Sequence, residues 1–241
     1  MAEETTANNG LGRYHFLLRR LHSLSGIVPV GVFLVFHLLI NATVLGGPQP
    51  YQLQVGRIHS LEPFLLPMEI VGIFIPILFH GILGVVIILQ GAPNPVAYPY
   101  GANWRYALQR WTGYVAFAYI AYHVWQTHKL FAGLGGGRFE HDAAYTTTAQ
   151  IIQSAPWVAP IYAVGVVATV FHFANGLWTA LITWGITIGP NAQRKAGWAC
   201  AAIGVLLTAA GLGSLRTLRA AEWEPQAAPA MHAEAPEGDE R

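Results

Sequence analysis

Long apolar runs, broken by short polar connections, dominate the chain. No Asp, Glu, Lys or Arg occurs from Leu21 to Gly56, Ile70 to Trp104, Trp111 to His128, Ala143 to Gln193, or Ala196 to Leu215. A helix needs about 20 mainly apolar residues to cross a hydrocarbon layer of about 30 Å. Each run is long enough, or nearly so. The pattern predicts five spans, over 21–45, 64–90, 106–130, 156–186 and 196–215. The period-2 alternation of a membrane β-barrel is absent. The expected fold is all-α, an integral membrane bundle of five transmembrane helices over 21–218. A cytoplasmic segment over 1–20 precedes it and a tail over 219–241 follows.

Turn residues punctuate the spans. Gly46-Gly47-Pro48 ends the first, Gly91-Ala92-Pro93-Asn94-Pro95 the second, and the glycine run Gly133–Gly137 follows the third. That run lacks the Lys-Ser/Thr ending of a phosphate loop and reads as a flexible outer loop. From Glu222 onward the chain is rich in Ala, Pro and Glu and reads as disordered. The first apolar run is too long for a signal-peptide core and no small-x-small cleavage site follows, so the helix is expected to stay.

Composition strengthens the membrane reading. Of 241 residues, 54% are hydrophobic and 10% charged, against about 25% charged in a soluble domain, and the mean hydropathy is +0.40. Thirteen Lys+Arg nearly cancel twelve Asp+Glu and form no basic stripe, which argues against a nucleic-acid partner. One cysteine, Cys200, excludes a disulfide framework, a Cys-rich zinc site and a Cys-ligated iron–sulfur cluster within this chain. No soluble domain is expected, so chemistry on a water-soluble substrate belongs to another chain. Arg19 and Arg20 abut the first span; by the positive-inside rule the N-terminus is cytoplasmic and the C-terminus external.

Four of the ten histidines lie within spans: His37, His80, His123 and His172. Ionisable groups at membrane depth are costly and usually mark function. At 1.5 Å per residue, His37 lies about 24 Å along an outward-running helix, and His123 reaches a similar outer depth. His80 and His172 fall in the inner part of inward-running helices. Depth therefore sorts them into an outer pair, His37 with His123, and an inner pair, His80 with His172, roughly 15–20 Å apart along the membrane normal. Two neutral imidazoles at equal depth are what a six-coordinate haem b requires. A satisfied core histidine is the alternative for any one of the four taken alone.

Small residues beside the ligands (Gly81, Gly84, Ala174, Gly176) suit a macrocycle lying close to the backbone, or equally ordinary small-residue helix packing. At the inner ends, Arg19, Arg20, His22, Ser23, Gln109 and Arg110 could meet haem propionates, or simply anchor the helices at the interface. Most of the tryptophans read as interfacial belts.

Several segments resemble a known family. They are Arg19-Arg20-Leu21-His22-Ser23-Leu24 with Gly26, Gln109-Arg110-x-Thr112-Gly113, His123-Val124-Trp125, and His172-Phe173-Ala174-Asn175-Gly176-Leu177-Trp178 followed by Trp184-Gly185-Ile186-Thr187. Together they are similar to the single-chain, five-helix, two-haem cytochrome b anchors of succinate dehydrogenases, from about Gly12 to Leu215. The tail has no counterpart. The resemblance maps the four iron ligands onto His37, His80, His123 and His172. It implies partners, a flavoprotein that oxidises succinate and an iron–sulfur subunit, with electrons passing through an inner and an outer haem b to a quinone, typically menaquinone, near the outer face. Relatives that act as fumarate reductases run in reverse.

The outer entrance to the second span carries the scarce acids. Glu62 lies at its start and Glu69 about two turns further in, with Pro63 and Pro67 loosening the backbone there. The resemblance places a glutamate in this region of relatives too. Reduction of a quinone takes up two protons, so either acid could supply them. Glu62 could equally be a solvated residue near the helix start, and Glu69 could bond a neighbouring helix or a propionate. His59 and Tyr51, in the preceding loop, are candidates for holding a quinone carbonyl. Two other classes stay in view. Another dihaem cytochrome b would carry two ligands on each of two helices, and a histidine-relay transporter would show internal repeats; neither pattern is present.

Overall fold

The computed structural model describes residues 3–90 and 101–222, and among these it is helical with no strand. Helix α1 (Glu3–Ile27) continues into α2 (Pro29–Ala42) with a break where Pro29 brings no N–H. Gly47, at φ 100°, turns the chain into α3 (Pro48–His59), which begins with Pro48 at its first position. The second span is built from α4 (Leu65–Glu69), one wide turn over Ile70–Phe74, and α5 (Ile75–Leu89). The wide turn has a cause in Pro76. That residue has no N–H for the carbonyl of Gly72 and its ring crowds that carbonyl, so Ile75 N reaches back to Ile70 O instead. Helix α6 (Gly101–Thr127), α7 (Ala144–Gln153), α8 (Val158–Thr183) and α9 (Pro190–Arg219) complete the fold.

Four segments among the described residues are long and apolar enough to cross a membrane: Phe16–Gly46, Leu65–Leu89, Val158–Thr183 and Pro190–Arg219. The expected third span, α6, is not among them. With 27 residues its length is ample, at about 1.5 Å per residue. Its first half, however, carries Asn103, Arg105, Gln109 and Arg110, and Trp and Tyr fill much of the rest. Those residues lower its apolarity, yet α6 packs along α8 and touches α5.

Close approach between helices rests on small residues, as expected where lipid is as apolar as leucine. Gly165 of α8 receives the Tyr119 ring of α6. A methyl group on Gly211 of α9 would sit 2.7 Å from Val166, and one on Gly204 3.0 Å from Ala174. Val44, Tyr51, Ala144, Ile151, Val158, Tyr162 and Leu218 form the largest buried cluster, at the end where α3 and α7 cover α8 and α9. Large apolar residues such as Phe36, Ile82, Val164 and Leu206 stay on the outside, the surface a bilayer would cover.

The glycine run is not the loose loop expected from composition. Gly136 N bonds Phe131 O at 3.0 Å, Gly137 N bonds Trp125 O at 3.0 Å, and Arg138 N bonds Gln126 O at 2.8 Å. Gly135 and Gly137 have positive φ, and a side chain on Gly136 would strike the Trp125 carbonyl. Here glycine serves close approach to the end of α6. The Gly91–Pro95 turn and the tail from Trp223 lie outside the described residues.

Candidate functional site

The four span histidines come together as the depth arithmetic expects. His37 of α2 and His123 of α6 have ring centroids 5.8 Å apart with planes at 70°. His80 of α5 and His172 of α8 are 6.1 Å apart at 84°. An imidazole nitrogen binds a metal at about 2 Å, and its ring centre lies about 1 Å further back, so two imidazoles on opposite sides of one ion have centroids about 6 Å apart. Both pairs meet that spacing. Neither α2 with α6 nor α5 with α8 is one of the extensive helix contacts, so side chains rather than backbones bring these rings together. No group of three or more His, Cys, Asp or Glu able to hold a bare metal occurs among the described residues; the donor sets are pairs, which suits a haem.

Three of the rings are held through Nδ1, which leaves Nε2 for a metal. His80 Nδ1 donates to His22 O at 2.9 Å and His172 Nδ1 to Gln109 O at 3.0 Å. His123 Nδ1 donates to the Tyr162 hydroxyl at 3.2 Å, and that hydroxyl donates to Gln126 Oε1 at 2.9 Å. On α2, Asn41 Nδ2 donates to His37 O at 2.8 Å and lies 3.4 Å from His37 Nε2.

A match to the family model described as "Succinate dehydrogenase/Fumarate reductase transmembrane subunit" covers residues 95–211. The succinate dehydrogenase cytochrome b558 subunit of Bacillus subtilis (strain 168) is 37% identical over 204 residues, which is 85% of this chain and 97% of that protein. The chain belongs to the succinate dehydrogenase/fumarate reductase transmembrane subunit family. As in the sequence reading, it is a multi-pass membrane protein of the kind that anchors such complexes.

Glycines seat the His80–His172 pair of this family member. A methyl group on Gly26 would collide with the His80 ring, 2.6 Å from Nδ1, and one on Gly113 would lie 2.9 Å from His172 Cε1. Gly81, Gly84 and Gly176, expected to give room for a macrocycle, instead face Phe117, His22 and Gln109. Replacing Gly26 by alanine is therefore expected to push His80 off its seat, at a cost of about 1–3 kcal/mol for overpacking, and to deplete one haem in a reduced-minus-oxidised spectrum. Gly56→Ala, with nothing within 4 Å of the new methyl group, should leave the spectrum unchanged.

The propionate candidates divide. His22 stacks on His80 at 4.0 Å, and its buried Nδ1 has no hydrogen-bond partner. Gln109 brackets His172, also donating Nε2 to His172 O at 3.0 Å. Ser23 accepts from Trp184 Nε1 at 3.2 Å. Arg110 is buried and bonds Tyr106 and the Ile88 carbonyl at the end of α5. Arg19 is exposed.

Of the quinone candidates, Tyr51 is turned inward. It is 4% exposed and its hydroxyl lies 3.5 Å from Asn41 Oδ1 and 3.4 Å from Thr148. Burial pushes its phenol above the ordinary range, and the Thr148 contact works against that. His59 stacks on His141 at 3.3 Å and pairs with Glu62 at 3.4 Å; the Glu62 side chain is 62% exposed. Glu69 is half-buried and pairs with His128 Nε2 at 3.2 Å. Phe74, in the wide turn, sets its edge to that imidazole at 5.1 Å.

Sequence reasoning passed over Asn41, Gln126, Asn175 and His128. The three amides had a signal, since each follows a ligand candidate by three or four residues and shares its helix face. His128 follows α6 directly, where nothing local marks a partner 59 positions away.

Proposed function

We propose that this chain is the dihaem cytochrome b anchor of a succinate:quinone oxidoreductase in a bacterial cytoplasmic membrane, spanning five times over 21–218 with α6 as the third span and the N-terminus inside. In this reading His37 and His123 hold the outer haem iron and His80 and His172 the inner one. The partners are a flavoprotein and an iron–sulfur subunit on the inner side, and the acceptor is a quinone, for which menaquinone is the expected species. When bound, the haems supply reversible one-electron transfer at two depths.

The carrying observation is that four histidines on four helices meet as two pairs, each at the spacing of two imidazoles across one ion. Hydrogen bonds at Nδ1 fix ring orientation and leave Nε2 for the iron in three of them. His22 and Gln109 stand beside the inner pair as candidates for its propionates, with Arg19, Ser23 and Arg110 nearer the inner rim. At the outer end, Glu69 in contact with His128 offers a carboxyl group to protonate reduced quinone. Glu62 and His59 remain in the water-facing turn.

Purification through a tag on this chain is expected to bring down a flavin-bearing and an iron–sulfur polypeptide with two haems b per complex. Absence of both polypeptides, or a single haem, defeats the reading. A reporter fused to the N-terminus should be active only in the cytoplasm, and one at the C-terminus only outside. Activity of both on one side would remove α6 from the count of spans.

A further inference from the structure

A side-chain relay leads from Arg105 to the inner ligand candidate His172, and it has only one possible polarity. Arg105 Nε donates to Asn175 Oδ1 at 2.8 Å. Asn175 Nδ2 donates to Gln109 Oε1 at 2.8 Å, and Gln109 Nε2 donates to His172 O at 3.0 Å. The Gln109 carbonyl in turn accepts from His172 Nδ1 at 3.0 Å. An arginine can only donate, so the oxygen of Asn175 must face it. The amide nitrogen of Asn175 must then face Gln109, whose own nitrogen is left for His172. Asn175 is buried, with 6% exposure, so a reversed amide would leave polar atoms unsatisfied.

The charge at the head of the relay is held in place. The Arg105 guanidinium lies 3.6 Å from the Trp178 ring centre, and Trp178 is itself fixed by its Nε1 donating to Gln193 O at 2.8 Å. Among the described residues the ion pairs all involve Glu62, Glu69, Glu140 or Asp142, so an amide rather than a carboxylate meets Arg105. A positive charge in a low-dielectric setting favours the reduced, less positive state of a nearby redox centre. Aligned amides polarise one another along the chain.

We propose that Arg105 and Asn175 are positioning residues for the inner haem, orienting His172 through Gln109 and raising the reduction potential of that haem relative to the same site without them. The proposal rests on the reading of His172 as an iron ligand. Arg105 supplies the charge, and Asn175 and Gln109 supply the fixed orientation. At the other pair, His123 Nδ1 bonds the Tyr162 hydroxyl, which donates to Gln126 Oε1, with no arginine in that chain of bonds.

Redox titration of the purified complex, followed optically and by the low-spin ferric resonance signals, separates the two contributions. Arg105→Gln keeps a donor and removes the charge. It should lower the inner-haem potential enough to change the reduced-to-oxidised ratio about tenfold, or about 59 mV for a one-electron couple, while the outer haem stays put. Arg105→Lys should restore most of the shift. Asn175→Leu keeps the charge and breaks the relay, and it should move the inner ferric signal. Unchanged potentials in Arg105→Gln, or equal shifts of both haems, overturn the proposal. If Arg105→Gln loses the inner haem outright, Arg105→Lys and Asn175→Leu decide, and wild-type behaviour in both overturns it. A wild-type complex without two haems sinks the ligand reading instead, a result visible before any variant is made.

Discussion

His80→Ala and His172→Ala should each remove the same haem and leave the other intact. The complex would retain about half of its haem absorbance, and succinate would no longer reduce quinone. His37→Ala and His123→Ala should remove the remaining haem, whose signals differ. The expectation follows from the two ring separations, 6.1 Å for His80 with His172 and 5.8 Å for His37 with His123. A lone imidazole cannot complete a six-coordinate site. The measurement is a difference spectrum with haem extraction on each purified variant. Loss of the same haem from His80→Ala and His123→Ala would overturn the pairing.

Glu69→Gln should slow quinone reduction about a hundredfold, the lower end of what a positioned acid contributes, while succinate still reduces both haems at the wild-type rate. Glu62→Gln should change little, because its side chain is 62% exposed and pairs with His59, three residues before it. Glu69 differs in being half-buried against His128, next to a turn already widened by Pro76. Glutamine preserves shape and removes the transferable proton, so a rate loss in this variant reports proton supply. Stopped-flow haem reduction together with steady-state quinone assays distinguishes the two steps. Normal quinone reduction in both variants would move the site to the inner half of the bundle.

The pairing of histidines was legible in the sequence because helical rise converts residue counts directly into depth. Azimuth is less accessible. Nothing in the order of residues says that Asn175 and Gln109 face one another across α6 and α8, since that depends on how the two helices pack, with the Tyr119 ring against Gly165. The burial of Tyr51 was hidden for the same reason: its hydroxyl meets Thr148, 97 positions later. Helix α6 shows the limit of composition. Its Trp, Tyr, Gln and Arg lower its apolarity below that of the four apolar spans, although it packs along α8. Glycine content likewise suggested a loose loop at Gly133–Gly137, where the acceptors that hold it lie on another element.

That clamp bears on how this protein can be handled. A glycine-rich connection is the usual choice for inserting an epitope tag or a fluorophore site. Here the amides of Gly137 and Arg138 cap the carbonyls of Trp125 and Gln126, two and three residues beyond His123. An insertion at that point would pull on the last turn of α6 and, through Gln126 and Tyr162, on the imidazole itself. Labels belong instead on α3 at Gly56, where an added Cβ meets nothing within 4 Å.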